Sequence, residues 1–140
     1  MSNIDTRAMT SKPSPIQYWY DAVARNDRNH IESLPADDAV FLSPAVHTPQ
    51  QGKTQMSKYL RAAMVVLKNS SFRFVDEWLS ARSAVLEFEA ERDGICHNGI
   101  DLIRWSEAGQ ITIFKVMARP FKGLSAVIAL MGEQLKEAGA

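Results

Sequence analysis

The sequence predicts a single α+β domain in which helices cover one face of a curved antiparallel sheet. Three observations support this: apolar residues recur at helical spacing near both ends and in the middle of the chain, β-like segments fill most of its second half, and turn-forming residues separate those segments. At 140 residues the chain has the length of one ordinary domain. Such a sheet encloses a pocket wherever the helices do not fill its concave side.

Two helices are predicted before the first strand. Residues 1–13 are polar and lack periodicity, so they predict a flexible tail, and residues 14–140 predict the domain. Ser14 can cap a first helix that ends near "RND". A second, short helix over about 28–34 is stopped by Pro35, and "ADDAVFLSP" then predicts a short strand.

The rest of the chain predicts a helix, four strands and a final helix. After Gly52 the apolar residues, Met64 among them, fall on one side of a third helix. From Ser71 to about Arg119, β-like segments alternate with "NSS", "RDG" and "SEAGQ", which predicts an antiparallel meander. Helical spacing then returns over 121–137.

Composition excludes several classes of function. The formal net charge is zero and no run of Lys or Arg occurs, so we expect no nucleic-acid partner and no membrane surface. The start lacks the apolar segment of a secretory signal, which predicts a cytoplasmic protein. Cys96 is the single cysteine and no histidine–acid group has metal-ligand spacing, so we expect no disulfide, metal or cofactor. Small apolar or aromatic partners are favoured.

Four segments together resemble the nuclear-transport-factor-2-like (NTF2-like) superfamily, in its SnoaL-like and ketosteroid-isomerase-like branch. They are "YWYDAVARND", "IESLPADDAVFLSP", "GKTQMSKYL" and "GIDLIRWSEAGQI", and the resemblance spans residues 14–119. It implies a cystatin-like cone, with a pocket between the helices and the concave face of the sheet. It also implies a homodimer packed through the sheet. The final segment resembles the additional C-terminal helix of a bacterial subset of these proteins.

The resemblance implies three polar groups in a ketosteroid-isomerase-like site. An aspartate at the end of the first strand moves the proton, while a tyrosine on the first helix and a protonated aspartate on a later strand bind the oxyanion. The matching positions of this chain hold Ser43, Trp19 and Asp101. A serine hydroxyl is not a base near neutral pH without a partner, and an indole can only donate. Only the third group of the constellation is retained.

Other chemistries known in the superfamily also lack residues that they need. SnoaL-like cyclases resemble the chain in organisation, but the final strand, "QITIFKVMAR", has no aspartate. Limonene-epoxide-hydrolase-like sites need an arginine two residues before the acid, and that position is Gly99. Scytalone-dehydratase-like sites use paired histidines and tyrosines, and the sequence does not establish that His47 and His97 converge. The remaining candidate polar groups are Asp101, His47, His97, Ser43, Trp19 and Arg119.

Asp101 and His47 are the predicted catalytic residues. Strand alternation places Asp101 on one face with Ile103 and Trp105, where burial would raise its pKa and favour a protonated, hydrogen-bond-donating carboxyl. The alternative is a structural carboxylate whose bonds are satisfied in the pocket wall. His47 lies in the loop after the first strand, where it is either a general base at a pocket mouth or simply an exposed loop residue. His97 lies roughly 13 Å from Asp101 along the same strand, too far for a dyad.

The predicted ligand-binding residues are mostly apolar and come from the helices and the concave face of the sheet. Aromatic residues in this position are either a ligand platform or part of the core. The predicted set is Trp19, Ser43, Met64, Phe88, Ile103, Trp105, Phe114 and Val116.

Three functions therefore stay open at the level of sequence. The first is a protein that binds a small apolar or aromatic molecule in its cone. The second is an isomerase, polyketide-cyclase-like or dehydratase-like enzyme that uses Asp101 and His47. The third is a dimeric assembly module that uses the convex sheet face and the last helix and has a vestigial pocket.

Overall fold

Four helices and six strands form the part of the chain that the structure describes. This computed structural model describes residues 13–139, so the predicted tail, apart from Pro13, lies outside the described residues. The helices are α1 (Ser14–Arg25), α2 (Arg28–Ile31), α3 (Lys53–Leu67) and α4 (Phe121–Gly139). The strands are β1 (Pro35–Leu42), β2 (Gln50–Gln51), β3 (Arg73–Leu79), β4 (Ser83–Arg92), β5 (Ile95–Trp105) and β6 (Ile111–Arg119).

The six strands form one sheet in the order β2-β1-β6-β5-β4-β3. All neighbouring strands are antiparallel except β1 and β6, which are parallel. The predicted α+β sheet with a C-terminal helix is confirmed, but the sheet is mixed rather than antiparallel throughout. A parallel pair needs a long connection, and the chain supplies one by passing through α3 and the meander between β1 and β6.

The ends of the first two helices follow from local backbone chemistry. Pro13, not Ser14, is the N-cap residue of α1, so the predicted cap is the first helical residue instead. The side chain of Asp27 caps α2 by accepting a bond from the backbone N–H of His30 at 3.2 Å. The second helix ends at Ile31, earlier than predicted, because residues 32–34 donate to the carbonyl three rather than four residues back. Pro35 also disfavours helical backbone at the residue before it.

The predicted four-strand meander is present, and the structure adds the short strand β2, which was not predicted. β5 begins at Ile95, because Asp93 and Gly94 form a tight turn with positive φ values of 53° and 77°. β2 was predicted to be loop; it pairs with Val40 and Phe41 of β1. Two residues are too few to show alternation, so β2 has no sequence signature.

The hydrophobic core lies between α1, α3 and the inward face of the sheet. The Phe114 ring, 1% exposed, meets the Trp19 ring with centroids 5.1 Å apart and the Phe41 ring at 6.0 Å. α4 packs against α3 and β5. Within residues 13–139 no helix is long and apolar enough to cross a membrane.

Candidate functional site

A cavity of about 60 Å³ lies between α1, α3 and the concave face of the sheet. Its wall is apolar apart from Asp101, Lys68 and the indole nitrogen of Trp19. Five of the predicted ligand-binding residues line it together with Asp101: Trp19, Met64, Phe88, Phe114 and Val116.

Seven further lining residues were not predicted. Leu60, Ala63 and Leu67 share one face of α3 with Met64, so the helical period could have identified them. Lys68 and Phe72 follow that helix in a stretch without periodicity, so no sequence pattern identifies them. The other two are Val23 and Phe41.

The remaining three predicted ligand-binding residues lie outside this cavity. Ile103 and Trp105 share the face of Asp101 but pack into the core further along β5. Alternation determines which face of the sheet a strand residue lies on, but not whether the cavity extends to that point of the strand. The sequence therefore grouped Asp101, Ile103 and Trp105 together. Ser43 lies after β1 and lines a different depression.

Asp101 occupies the middle of the sheet, between Leu86 of β4 and Val116 of β6. It is 6% exposed. Burial among apolar side chains raises the pKa of its carboxyl from 3.8 to about 7, since the charged form loses its hydration. The side chain is therefore largely protonated below neutral pH, and a protonated carboxyl can donate a hydrogen bond.

The indole N–H of Trp19 is the second polar group at this end of the cavity. It interacts with Asp101 in the direction that lowers the pKa of that carboxyl, against the larger effect of burial, although the two groups do not reach hydrogen-bond geometry. Among the described residues this buried N–H has no hydrogen-bond partner. A buried donor left without an acceptor costs about 1–3 kcal/mol, so an acceptor inside the cavity would be stabilised here.

Neither tyrosine next to Trp19 supplies the phenol that isomerase-like sites use. The hydroxyl of Tyr20 donates to Glu77 Oε1 on β3 at 2.5 Å. Burial raises the pKa of Tyr20, and the nearby carboxylates Glu77 and Asp101 raise it further. Tyr18 points outward and is 51% exposed. The hydroxyl of Tyr20 is thus directed to the edge strand.

His47 and Ser43 line a separate, open depression of about 470 Å³ on the surface. His47 is exposed, and the hydroxyl of Ser43 accepts a bond from the backbone N–H of Ala45 at 2.9 Å. Among the described residues, Val116 alone lines both this depression and the cavity of Asp101. The structure therefore does not bring the two predicted catalytic residues, His47 and Asp101, into one site.

His97 and Arg119 line a third depression, which shares no lining residue with the cavity. His97 is buried, and burial lowers the pKa of its imidazole against a smaller opposing effect of the Gly123 backbone. β4 and β5 pair without a bulge, so His97 and Asp101 share a face with Gly99 between them. Arg119 Nη1 donates to Asn98 Oδ1 at 3.4 Å. These groups do not form a dyad with Asp101.

No group of three histidine, cysteine, aspartate or glutamate side chains in residues 13–139 converges as a metal site would require. Among the described residues, the side chains with polar groups that line the cavity are those of Asp101, Trp19 and Lys68.

The curved mixed sheet, the helices that cover it and the cavity between them together define an NTF2-like domain. The chain belongs to the SnoaL-like domain family, whose model matches residues 16–114. It matches no functionally curated protein.

Solved structures show the same fold. A steroid delta-isomerase from Pseudomonas aeruginosa is 35% identical, with 89% of this chain and 91% of that chain covered and a TM-score of 0.83. A protein with a cystatin-like fold from Silicibacter pomeroyi is 26% identical, with 91% and 89% covered and a TM-score of 0.83. An NTF2-like protein from Burkholderia xenovorans, 16% identical over 77% of this chain and 83% of its own, has a TM-score of 0.62 and shows the fold alone.

Proposed function

We propose that the protein binds a small apolar or aromatic molecule in the cavity, with neutral Asp101 donating a hydrogen bond to an oxygen of that molecule. The observation that carries this proposal is the position of Asp101. Among the described lining residues it is the only carboxyl, and its surroundings favour the protonated form. A buried carboxyl of this kind costs stability, which a ligand oxygen would recover.

Trp19, which lines the same cavity, supports the proposal. Among the described residues its buried indole N–H has no hydrogen-bond partner, so it can serve as a second donor to a ligand oxygen beside Asp101. Two donors on one oxygen are a typical way to bind a carbonyl or alkoxide in an apolar site.

The size of the cavity limits the ligand. Its volume of about 60 Å³ is well below the roughly 300–1,000 Å³ of typical ligand pockets. A single ring or a short branched chain fits this scale better than a steroid does. A larger ligand would require side chains to move, and Met64 is the most adaptable group in the wall.

A thermal-shift screen with single-ring ketones, phenols, terpenoids and steroids tests the proposal. A ligand present at 100 times its Kd should stabilise the protein by about 2.7 kcal/mol. Asp101→Leu removes the donor while keeping a similar volume, and we expect it to abolish the shift. Asp101→Asn retains a hydrogen-bond donor and should keep most of the thermal shift. His47→Ala should also keep it, because His47 lies outside the cavity. Stabilisation that is equal in wild type and Asp101→Leu would contradict the proposal.

A second candidate function is isomerisation of an unsaturated ketone, favoured by the 35% identity to a steroid delta-isomerase. Ser43 and His47 lie outside the cavity, so Asp101 would itself have to take the proton from one carbon and return it to another. A pKa of about 7 suits such a group at neutral pH. Absorbance of the conjugated ketone would follow turnover. Asp101→Asn should abolish turnover but not binding; turnover unaffected by that change would exclude this candidate.

We also propose that two copies pair through the convex face of the sheet. Trp78 and Met117 are 54% and 50% exposed, and Val85 and Leu102 lie beside Trp78 on that face. Apolar side chains gathered on one surface are typical of an interface. Light scattering should give a dimer that Trp78→Glu converts to a monomer, whereas Tyr18→Glu, on α1, should not. A wild-type monomer at micromolar concentration would refute the pairing.

A further inference from the structure

A β-bulge in β3 turns Glu77 toward the concave side of the sheet, where Tyr20 of α1 donates a hydrogen bond to it. We infer that Glu77 is a positioning residue of the ligand site, which holds α1 through Tyr20 and so orients the indole N–H of Trp19 for a ligand oxygen. This inference rests on the proposed ligand-binding function and adds to it the group that holds one of the two donors in place.

The bulge adds one residue, Val75, to β3 between its pairs with β4. It reverses the alternation of the strand, because Phe74 and Glu77 are three residues apart and yet both are partly buried. Glu77 pairs with Leu86, which is fully buried on the concave side. In a regular strand Trp78 would face inward instead of Glu77. A bulge near a binding site can redirect a side chain in this way.

Glu77 lies in line with Asp101 across the sheet. Leu86 pairs with Glu77 on one side and with Asp101 on the other, so two strand spacings, roughly 10 Å, separate the backbones of the two acids. Burial raises the pKa of Tyr20, Glu77 raises it further, and Asp101 adds a smaller effect. The hydroxyl of Tyr20 is therefore bonded to one acid and within electrostatic reach of the acid that the proposed function uses.

The bond to Glu77 ties α1 to the sheet. In residues 13–139 the side chains of α1 form one hydrogen bond within the helix, from Gln17 to Asp21, and one to the sheet, from Tyr20 to Glu77. Trp19, the residue before Tyr20, meets the ring of Phe114 on β6 instead. Successive helix residues project about 100° apart, so these two contacts together fix the rotation of α1 about its axis. That rotation determines where the Trp19 N–H points.

The ring of Tyr20 also packs toward the cavity wall. Ring centroids are 4.8 Å apart for Tyr20 and Phe74, 5.2 Å for Phe74 and Phe72, and 5.5 Å for Phe72 and Phe88. The last two of these phenylalanines line the cavity. None of these ring contacts needs the hydroxyl of Tyr20, so Tyr20→Phe removes the hydrogen bond and keeps the packing.

Calorimetric titration with cyclohexanone and with methylenecyclohexane, a hydrocarbon of nearly the same shape, tests the inference. Only the ketone has an oxygen for the two donors, so wild type should bind it more tightly. Tyr20→Phe and Glu77→Leu should each weaken ketone binding about 3- to 10-fold and leave hydrocarbon binding unchanged. Glu77→Gln keeps an acceptor for the Tyr20 hydroxyl and should retain most of the ketone affinity. Glu89→Gln, on the opposite face of the sheet, should leave both affinities unchanged.

Hydrogen exchange of the Trp19 indole proton, followed by NMR, tests the same inference without a ligand. Tyr20→Phe should accelerate exchange of this proton about 10-fold, because α1 is then free to open locally, and leave the central backbone amides of β5 unchanged. A general loss of stability would accelerate the β5 amides as well. The Trp19 signal is assigned as the one missing from Trp19→Phe.

The outcomes separate this inference from the function on which it rests. Equal weakening of ketone and hydrocarbon by Tyr20→Phe would mean that the bond only supports the cavity wall, and it would overturn the inference. Unchanged ketone binding in that variant would overturn it as well. A wild type that binds both probes equally, or neither, would instead overturn the proposed donor site. Exchange of the Trp19 proton that Tyr20→Phe does not alter would then overturn the positioning role too.

Discussion

Replacing Asp101 with asparagine is expected to remove a loss of stability that the wild-type protein undergoes as the pH rises from about 4 to about 7. The folded state holds the proton of this carboxyl up to a pKa of about 7, whereas the unfolded chain releases it near 3.8. Between these values the folded state binds more protons, so the free energy of unfolding falls as the pH rises. The shift corresponds to about 4 kcal/mol, fully lost above pH 7.

Urea unfolding from pH 4 to pH 8 measures this effect. The difference in stability between Asp101→Asn and wild type should change by about 4 kcal/mol in favour of the variant across this range. Because only the pH dependence of this difference is compared, any pH-independent cost of burying the asparagine amide cancels. Asp38→Asn, which removes an exposed carboxylate on β1, should show a much smaller change. A flat difference for Asp101→Asn would mean that Asp101 is ionised in the folded protein.

Gly99→Ala is expected to destabilise the fold by about 3 kcal/mol, because no space exists for a methyl group. A Cβ at this position would lie 2.5 Å from Cζ of Phe88 and 2.8 Å from the carbonyl oxygen of Met117. The Phe88 ring forms part of the cavity wall, and the carbonyl belongs to the neighbouring strand β6. The methyl group would therefore displace both a lining residue and the backbone.

Thermal and urea unfolding of two further variants makes this test specific. Gly132→Ala adds the same methyl group on α4 where nothing lies within 4 Å, and it should be neutral or stabilising by up to about 1 kcal/mol. Phe88→Leu introduced into Gly99→Ala should cost less than the sum of the two single changes, because the ring contact is lost. An unaltered stability of Gly99→Ala would contradict the close packing of β5 against Phe88.

The sequence predicted the parts of the fold that depend on neighbours along the chain. Alternation placed Asp101 on one face of its strand with Ile103 and Trp105, and the family resemblance implied that this face is the concave one. The period of α3 likewise predicted a wide apolar face around Met64. Such patterns could not predict the parallel pairing of β1 with β6, because that pairing depends on how segments far apart in the chain come together.

The site was predicted less completely, for a similar reason. The contribution of Lys68 depends on where the end of α3 meets the sheet, and no motif surrounds it. Whether His47 lies near Asp101 depends on the path of the loop after β1, which the sequence does not predict. That loop places His47 in a different depression. Composition and spacing supplied the residue types, and tertiary packing decided which of them share a cavity.

The central claim is that burial keeps Asp101 protonated inside the cavity until near-neutral pH. Carbon-13 NMR of the labelled aspartate carboxyl groups, assigned by comparison with Asp101→Asn, measures this directly. We predict one aspartate resonance that titrates with a pKa of about 7 and is missing from the variant. An Asp101 resonance that titrates near 4, as in an exposed carboxyl group, would contradict the claim.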